Sequence, residues 1–352
     1  MTNEQAKLEE FLMSFTADVA AGQSAVCAYV GDMLGLYAAM AGAGPLTAEE
    51  LARRTDTNER YVQEWLSNQA AGGYVVYDPT TRTFELPDAQ ARVLADPHSP
   101  TYLAGVFEIA GAMWAAADRL VDAFRSGAGI DWDEHDPRLH RGVERLFGPM
   151  YRSQLVDDWI PALDGVEARL REGARVADVG CGYGTSTIAM AQAYPASRFI
   201  GFDYHAPSIA AASKAAAEAG VGDRVAFETV HADALPDEGF DLVTMFDCLH
   251  DMGDPAGVAA GVRDRLADEG TLLLVEPMAG DDLADNLHPI GRMAYAVSTA
   301  VCTPTSLAQD GARALGAQAG QTRLTDVLTE AGFTHVRRAA STPFNLILEV
   351  RP

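Results

Sequence analysis

The turn Asp178-Val-Gly180-Cys-Gly182-Tyr-Gly184 constrains this chain more than any other segment. It stands directly after an apolar, β-rich run at 175–179 and before a helical stretch at 185–193. Glycine at alternate positions lets a backbone turn sharply and approach a ligand at distances that a Cβ would forbid. The spacing is G-x-G-x-G, not the G-x-G-x-x-G of dinucleotide turns, and a carboxylate stands two residues before the first glycine. That carboxylate would repel a pyrophosphate, whereas a ligand bearing amino and sulfonium cations would be accepted.

Further β-rich runs lie at 198–203, 225–230, 241–246 and 271–275, and they alternate mostly with Ala-rich helical stretches. This alternation predicts a parallel, doubly wound sheet. Two last runs, 334–338 and 344–350, are joined through Ser341-Thr-Pro343, too short a link for a helical crossover, so the end of the sheet is predicted to be antiparallel. The expected fold class is α/β: a Rossmann-like, doubly wound, seven-stranded sheet with an antiparallel C-terminal strand, preceded by an all-α, winged-helix domain.

The winged helix is read from residue order. Leu8, Phe11, Leu12, Phe15 and Val19 mark one face of an amphipathic terminal helix. Helical signals follow at 26–43, closed by Gly44-Pro45; at 47–54, opened by the capping box of Thr47 and Glu50; and at 58–71, closed by Gly72-Gly73. A hairpin at 74–77 and 83–86 turns at Asp78-Pro79. Residues 101–167 read as a Trp-, Phe- and Met-rich helical linker broken by a loop at 127–137. The expected domains are 1–100, 101–167 and 168–352, the last with a cap insertion at about 278–321.

A winged helix invites a DNA-binding reading, and here charge decides. The chain holds 26 Lys+Arg against 50 Asp+Glu, a formal net charge of −24. Binding to nucleic acid or anionic lipid needs clustered bases to release counterions. Residues 1–100 carry 14 acids and 6 bases, and 58–88, the recognition helix and wing, five acids and two bases, Arg60 and Arg82. Neither nucleic acid nor membrane is therefore an expected partner, and a dimerisation module fits better. Cys27, Cys181, Cys248 and Cys302 form no C-x-x-C pair and have no histidine at ligand spacing, so no disulfide framework and no metal are expected. With no signal-peptide pattern and no apolar run long enough to span a bilayer, the expected location is cytoplasmic.

Two more acids follow the strand pattern. Asp203 ends the second run, where a carboxylate accepts hydrogen bonds from ribose hydroxyls, and Asp233 follows the third in His231-Ala-Asp-Ala234. Together with the glycine turn, this set resembles the class I S-adenosylmethionine-dependent methyltransferases. The resemblance implies S-adenosylmethionine as cofactor and S-adenosylhomocysteine as product. It puts the turn, with Asp178, Gly180, Cys181, Gly182 and Gly184, at the methionine moiety. It puts Asp203 at the ribose and Asp233 at the adenine amino group, with Tyr204, Ala234 and Phe246 completing the cofactor site.

After the fourth run the chain reads Phe246-Asp-Cys-Leu-His250-Asp-Met252, and the fifth ends at Val275-Glu276-Pro277. Both loops lie at the carboxyl edge of the sheet, where open α/β folds bind ligands. An imidazole there can take the proton of a hydroxyl nucleophile at neutral pH. Leu-His-Asp-Met resembles the Leu-His-Asp-Trp segment of the plant-type and bacterial small-molecule O-methyltransferases, which also carry a winged-helix dimerisation domain. The resemblance implies a homodimer, His250 as general base and Glu276 as the carboxylate orienting it. Met150, Tyr151, Asp247, His288 and Arg292 are expected at the substrate pocket. Met252 replaces the family's Trp, and where its second orienting Glu is expected stand only Gln318 and Gln321. The expected activity is methyl transfer to a hydroxyl of a small molecule. The alternatives are a nitrogen or carbon acceptor, non-methylating chemistry on the same fold, and a ligand-sensing transcriptional regulator.

Overall fold

The computed structural model describes residues 3–236 and 239–352. The chain divides into two compact units, one running through Ala112 and adding Arg141–Pro149, the other made of Met113–His140 and Met150–Pro352. The helical linker is thus shared between the units instead of standing apart.

In the first unit one helix spans Asn3–Met33, where two were expected. Ala20, Ala21 and Gln23 are strong helix formers, and the lone Gly22 costs only about 1 kcal/mol, too little to break the run. The break comes at Gly35, in the left-handed region (φ 67°), before the short helix Leu36–Met40. Gly31 lets the long helix lie against Trp65, whose indole N–H donates to Cys27 O at 2.8 Å. Thr47 and Glu50 form the capping box of helix Ala48–Thr55, and Asn58 caps Glu59–Ala71. Strands β1 (Val76–Asp78) and β2 (Thr83–Glu85) pair antiparallel as the wing. Leu36, Tyr37, Leu51, Trp65, Leu66 and Phe84 belong to the core of this winged helix.

The second unit holds the sheet. Its strands are β3 (Arg175–Val179), β4 (Arg198–Asp203), β5 (Val225–Thr229), β6 (Phe240–Phe246), β7 (Leu266–Pro277), β8 (His335–Ser341) and β9 (Asn345–Arg351). Their spatial order is β5-β4-β3-β6-β7-β9-β8. The first five run parallel, and β9 is antiparallel to both β7 and β8, as the short 341–343 link requires. From β3 the chain proceeds outward to β4 and β5, then returns to lay β6 on the other side of β3. That reversal opens a crevice at the carboxyl ends of β3 and β6, where ligands of such sheets bind. The insertion after β7 is largely helical: Pro289–Val297 runs through a wide turn, Ser298–Cys302, into Thr303–Leu307.

The far edge of the sheet is fixed by an ion pair. The Glu349 side chain is 0% exposed; it accepts from the guanidiniums of Arg337 and Arg351 and from the Asp164 N–H. Burial pushes its carboxyl up, but Arg337, the Asp164 N–H and Arg351 outweigh burial and hold it below the ordinary carboxylate value. A group whose folded value is depressed stabilises fully above the unfolded value and loses that contribution as pH falls through the folded one. Glu349→Gln is therefore expected to cost about 2 kcal/mol at pH 7, with the gap to the wild type closing below about pH 4. Urea unfolding across pH measures both; a gap of equal size at pH 7 and pH 3 would refute the ion-pair account.

Candidate functional site

The glycine turn is held from beneath by β4: Gly180 and Cys181 N–H both donate to Phe202 O, at 2.8 and 3.1 Å. Gly180, Gly182 and Gly184 all have positive φ, 73°, 50° and 78°. A Cβ on Gly180 would meet Cys248 Sγ at 2.9 Å, and one on Gly184 would meet the Phe227 ring at 2.5 Å, so these two glycines serve packing. A Cβ on Gly182 would meet nothing within 4 Å. The middle glycine faces open space and is the one of the three with room for a ligand.

Asp178 requires a correction. It was expected to face a cationic cofactor, yet it is 1% exposed and turned inward. Its oxygens accept from Ser186 Oγ (2.6 Å), Thr187 Oγ1 (2.6 Å) and Thr244 Oγ1 (2.9 Å). Burial pushes its carboxyl up and the three hydroxyls oppose that. These bonds join the helix Thr185–Ala193 and β6 to the end of β3 beneath the turn.

Asp203 accepts Gly182 N–H on one oxygen and His205 N–H on the other, both at 2.9 Å. Next to it the Tyr204 ring stacks on His231, with centroids 5.0 Å apart, and its buried hydroxyl has no hydrogen-bond partner. Asp233 and Ala234 are exposed on the short turn Ala232–Ala234 beyond β5. Phe246, at the end of β6, packs on Tyr151 (5.1 Å) and Trp159 (6.5 Å), which come from the wide helical turn Tyr151–Trp159. Pro149, lacking an N–H, sits just ahead of that turn, in keeping with its irregular ladder. Met150 and Tyr151 are buried there. His288 and Arg292 are placed differently. Both are exposed, and His288 caps helix Pro289–Val297 by accepting Gly291 N–H at 3.1 Å.

The second cluster is built on the loop after β6. Asp247 takes a positive φ (50°), donates its N–H to Val275 O and accepts from Asn345 Nδ2 at 3.0 Å. Glu276, 1% exposed, accepts Leu249 N–H at 3.0 Å on one oxygen and is hydrogen-bonded to His250 Nδ1 through the other. His250 Nε2 lies 3.2 Å from Asp251 Oδ1, with Cys302 of the insertion close by. Burial disfavours the imidazolium, but the Glu276 and Asp251 carboxylates overcome it, so the ring is held well above its ordinary value. Burial, then Glu276, pushes Asp247 well up, and burial raises Asp251. The leading charges acting on these groups are one another's carboxylates and His250. Such a corner is complementary to a cationic ligand.

The open space at Gly182, the strand-end acid Asp203, the Tyr204 hydroxyl, without a partner among the described residues, and this acidic corner suit a planar nucleoside joined to a cation. Residues 170–332 match the family model described as a methyltransferase domain, and 22–96 match the Rv2258c-like winged HTH domain. Residues 170–332 thus carry a methyltransferase domain. It is 36% identical over 176 residues to 27-O-demethylrifamycin SV methyltransferase of Amycolatopsis mediterranei, covering 47% of this chain and 58% of that protein. It is 37% identical over 98 residues to a tRNA (guanine-N(7)-)-methyltransferase of Shewanella piezotolerans, 28% of this chain and 40% of the relative. The chain thus spans about two fifths to three fifths of these relatives' lengths. The solved structure of the mitomycin 7-O-methyltransferase has the same fold, with a TM-score of 0.71 at 19% identity over 99% of this chain and 100% of that one.

Three parts of the methyltransferase site escaped the sequence reading. Asp251 and Cys302 reach His250, while Gln318 and Gln321 bond instead to Ala317 O and Arg338. The loop at 127–140 is tied to the insertion by Ile130 N–H to Pro304 O (3.0 Å) and stacks His140 on His205, 4.2 Å apart, beside Asp203. Burial, then His140, pushes His135 of this loop down to about 4. Cys302 and the 127–140 loop had no spacing signal, because their contacts join segments far apart in the chain.

Gly182→Ala separates cradle from scaffold. The strained φ is expected to cost about 1 kcal/mol of stability, whereas S-adenosylhomocysteine affinity measured by calorimetry should fall at least about tenfold, since the methyl fills the space left for it. Undiminished affinity would show that the ligand does not lie against Gly182.

Proposed function

We propose that this protein transfers a methyl group from S-adenosylmethionine to a hydroxyl oxygen of a small molecule, with His250 as the general base and Glu276 as the group that orients it. The observation that carries this reading is the hydrogen bond between Glu276 and His250 Nδ1 at the carboxyl end of β6 and β7. It fixes Nδ1 as the protonated nitrogen and leaves Nε2 to accept a proton. When bound, S-adenosylmethionine supplies an electrophilic methyl on a cationic sulfur. The protein's part is alignment, exclusion of water and removal of the acceptor's proton. The Gly182 cradle and Asp203 hold the cofactor, and Tyr151 and Phe246 form an apolar wall. An acceptor hydroxyl reaching Nε2 replaces the Asp251 contact. Positive charge beside this corner opposes the imidazolium that Glu276 and Asp251 favour, so the ring is neutral and Nε2 is free to accept a proton when the donor is in place.

The oxygen acceptor is supported by the names of the rifamycin and mitomycin relatives, both of which methylate oxygen on a small molecule. A tRNA substrate is opposed by the net charge of −24, which repels a polyanion. His250→Ala is expected to lower kcat by about 10²–10⁴ with S-adenosylhomocysteine affinity kept, read as methyl incorporation on acceptors found in a metabolite extract. Turnover as fast as the wild type's would sink the base assignment.

The working form in this reading is a homodimer in the cytoplasm. Leu8, Phe11, Leu12, Phe15 and Val19, on the long N-terminal helix, are 42–66% exposed. Burying each fully is worth about 1.5–3 kcal/mol, and a second copy presents the same stripe in return. Phe11→Asp with Phe15→Asp should give a monomer in sedimentation; a wild type that sediments as a monomer at micromolar concentration would exclude the dimer.

A further inference from the structure

We propose that His250, Asp251 and Cys302 form a binding site for one thiophilic divalent metal ion of the zinc class, in which the ion takes His250 Nε2. A ring nitrogen of His250, an Asp251 carboxylate oxygen and Cys302 Sγ all lie within 4.8 Å of one another, and Nε2, the nitrogen that Glu276 leaves free, is 3.2 Å from Asp251 Oδ1. A tetrahedral ion with bonds of about 2.0–2.3 Å sets its ligand atoms roughly 3.3–3.8 Å apart, so small side-chain shifts close the set.

Three observations point to a ligand here and not to chance proximity. Glu276 holds the opposite ring nitrogen, Nδ1, and is itself anchored by Leu249 N–H. A carboxylate on one imidazole nitrogen with the metal on the other is the usual outer-shell arrangement of histidine ligands. Among the described residues Asp251 Oδ1 is buried with no regular hydrogen bond, and it faces His250 Nε2 at 3.2 Å and the Cys302 thiol. A buried carboxylate oxygen left unpaired is costly, and a cation at the centre of the cluster satisfies it. The donors are also fixed before binding: Gln309 bridges Gly253 N–H (3.0 Å) and Asp251 O (2.9 Å), and Ser306 donates to Met252 O (2.8 Å). These bonds tie the insertion that carries Cys302 to the loop that carries His250.

Sulfur with imidazole and one carboxylate selects zinc or cobalt over magnesium or calcium, and three protein donors leave a fourth position for water. The Asp251 side chain, 20% exposed, gives the ion its way in. Binding breaks the S–H bond of Cys302 and the N–H bond at Nε2 where that nitrogen is protonated. Both protons pass to solvent, and metal–sulfur and metal–nitrogen bonds replace them. The same Nε2 cannot then accept a proton, so the filled site silences the base. The inference concerns metal binding and does not depend on the methyl acceptor or on methyl transfer.

The test uses the full-length chain, reduced, stripped with chelator and titrated with Co²⁺ alone in the absence of any methyl donor. One equivalent per chain is expected, with a thiolate-to-metal band in the near ultraviolet and tetrahedral bands in the visible, displaced by Zn²⁺. Cys302→Ser and Asp251→Asn should each weaken binding at least tenfold while circular dichroism and the melting curve show a folded chain. X-ray absorption of the zinc-loaded wild type, which needs no variant, should show one sulfur and two or three nitrogen or oxygen neighbours. No binding at tens of micromolar, a sulfur-free shell, or an undiminished thiolate band in Cys302→Ser would overturn the proposal.

Discussion

A buried carboxylate, Asp178, sets the geometry of the glycine turn. Asp178 gathers hydroxyls from the helix Thr185–Ala193 and from β6 onto the end of β3, so one side chain joins the three elements that meet at the crevice. With that knot tied, the Gly180–Gly184 turn can take only a path with three positive φ angles, and the packing of Gly180 and Gly184 against Cys248 and Phe227 leaves the middle glycine facing open space. A buried carboxyl is tolerable here because three donors satisfy it. The shape of the turn is therefore a consequence of internal hydrogen bonding.

How far this was legible in the sequence divides along a physical line. Strands, caps and turn were readable because each is decided locally: alternation of apolar residues, Thr47 three residues before Glu50, glycine where φ must be positive. The antiparallel end of the sheet was readable because three residues cannot hold a crossover. The single long helix Asn3–Met33 was read as two signals, the 8–19 stripe and 26–43, although Gly22 between them costs little beside the propensity of its neighbours. The orientation of Asp178 was misread for another reason. Its spacing places it beside the turn, but which way it points depends on hydroxyls eight, nine and sixty-six residues away.

The candidate catalytic corner shows the same limit more sharply. The pairing of His250 with Glu276 was implied by the resemblance to the O-methyltransferases, and the parallel sheet allows it by bringing the carboxyl ends of β6 and β7 together. Cys302 could not be placed: it comes from an insertion whose helix widens at Ser298–Cys302, and no periodicity marks where that widening falls. Asp251 follows His250 by one residue, yet its partnerless oxygen is visible only when burial is known.

The charge of −24 acquires a structure through these contacts. Spread over the surface, it is screened within about 8 Å at physiological salt and mainly keeps polyanions away. At the ends of β6 and β7 it is concentrated as Asp247, Asp251 and Glu276 around a single imidazole, out of reach of that screening. Three carboxylates and one histidine cannot all be charged in a buried corner without help, and the upward push on Asp247 and Asp251 expresses that conflict. A cation relieves it whether it is a sulfonium, a metal ion or the imidazolium itself. These three compete for the same field, so whichever occupies the corner decides whether His250 is free to act as a base.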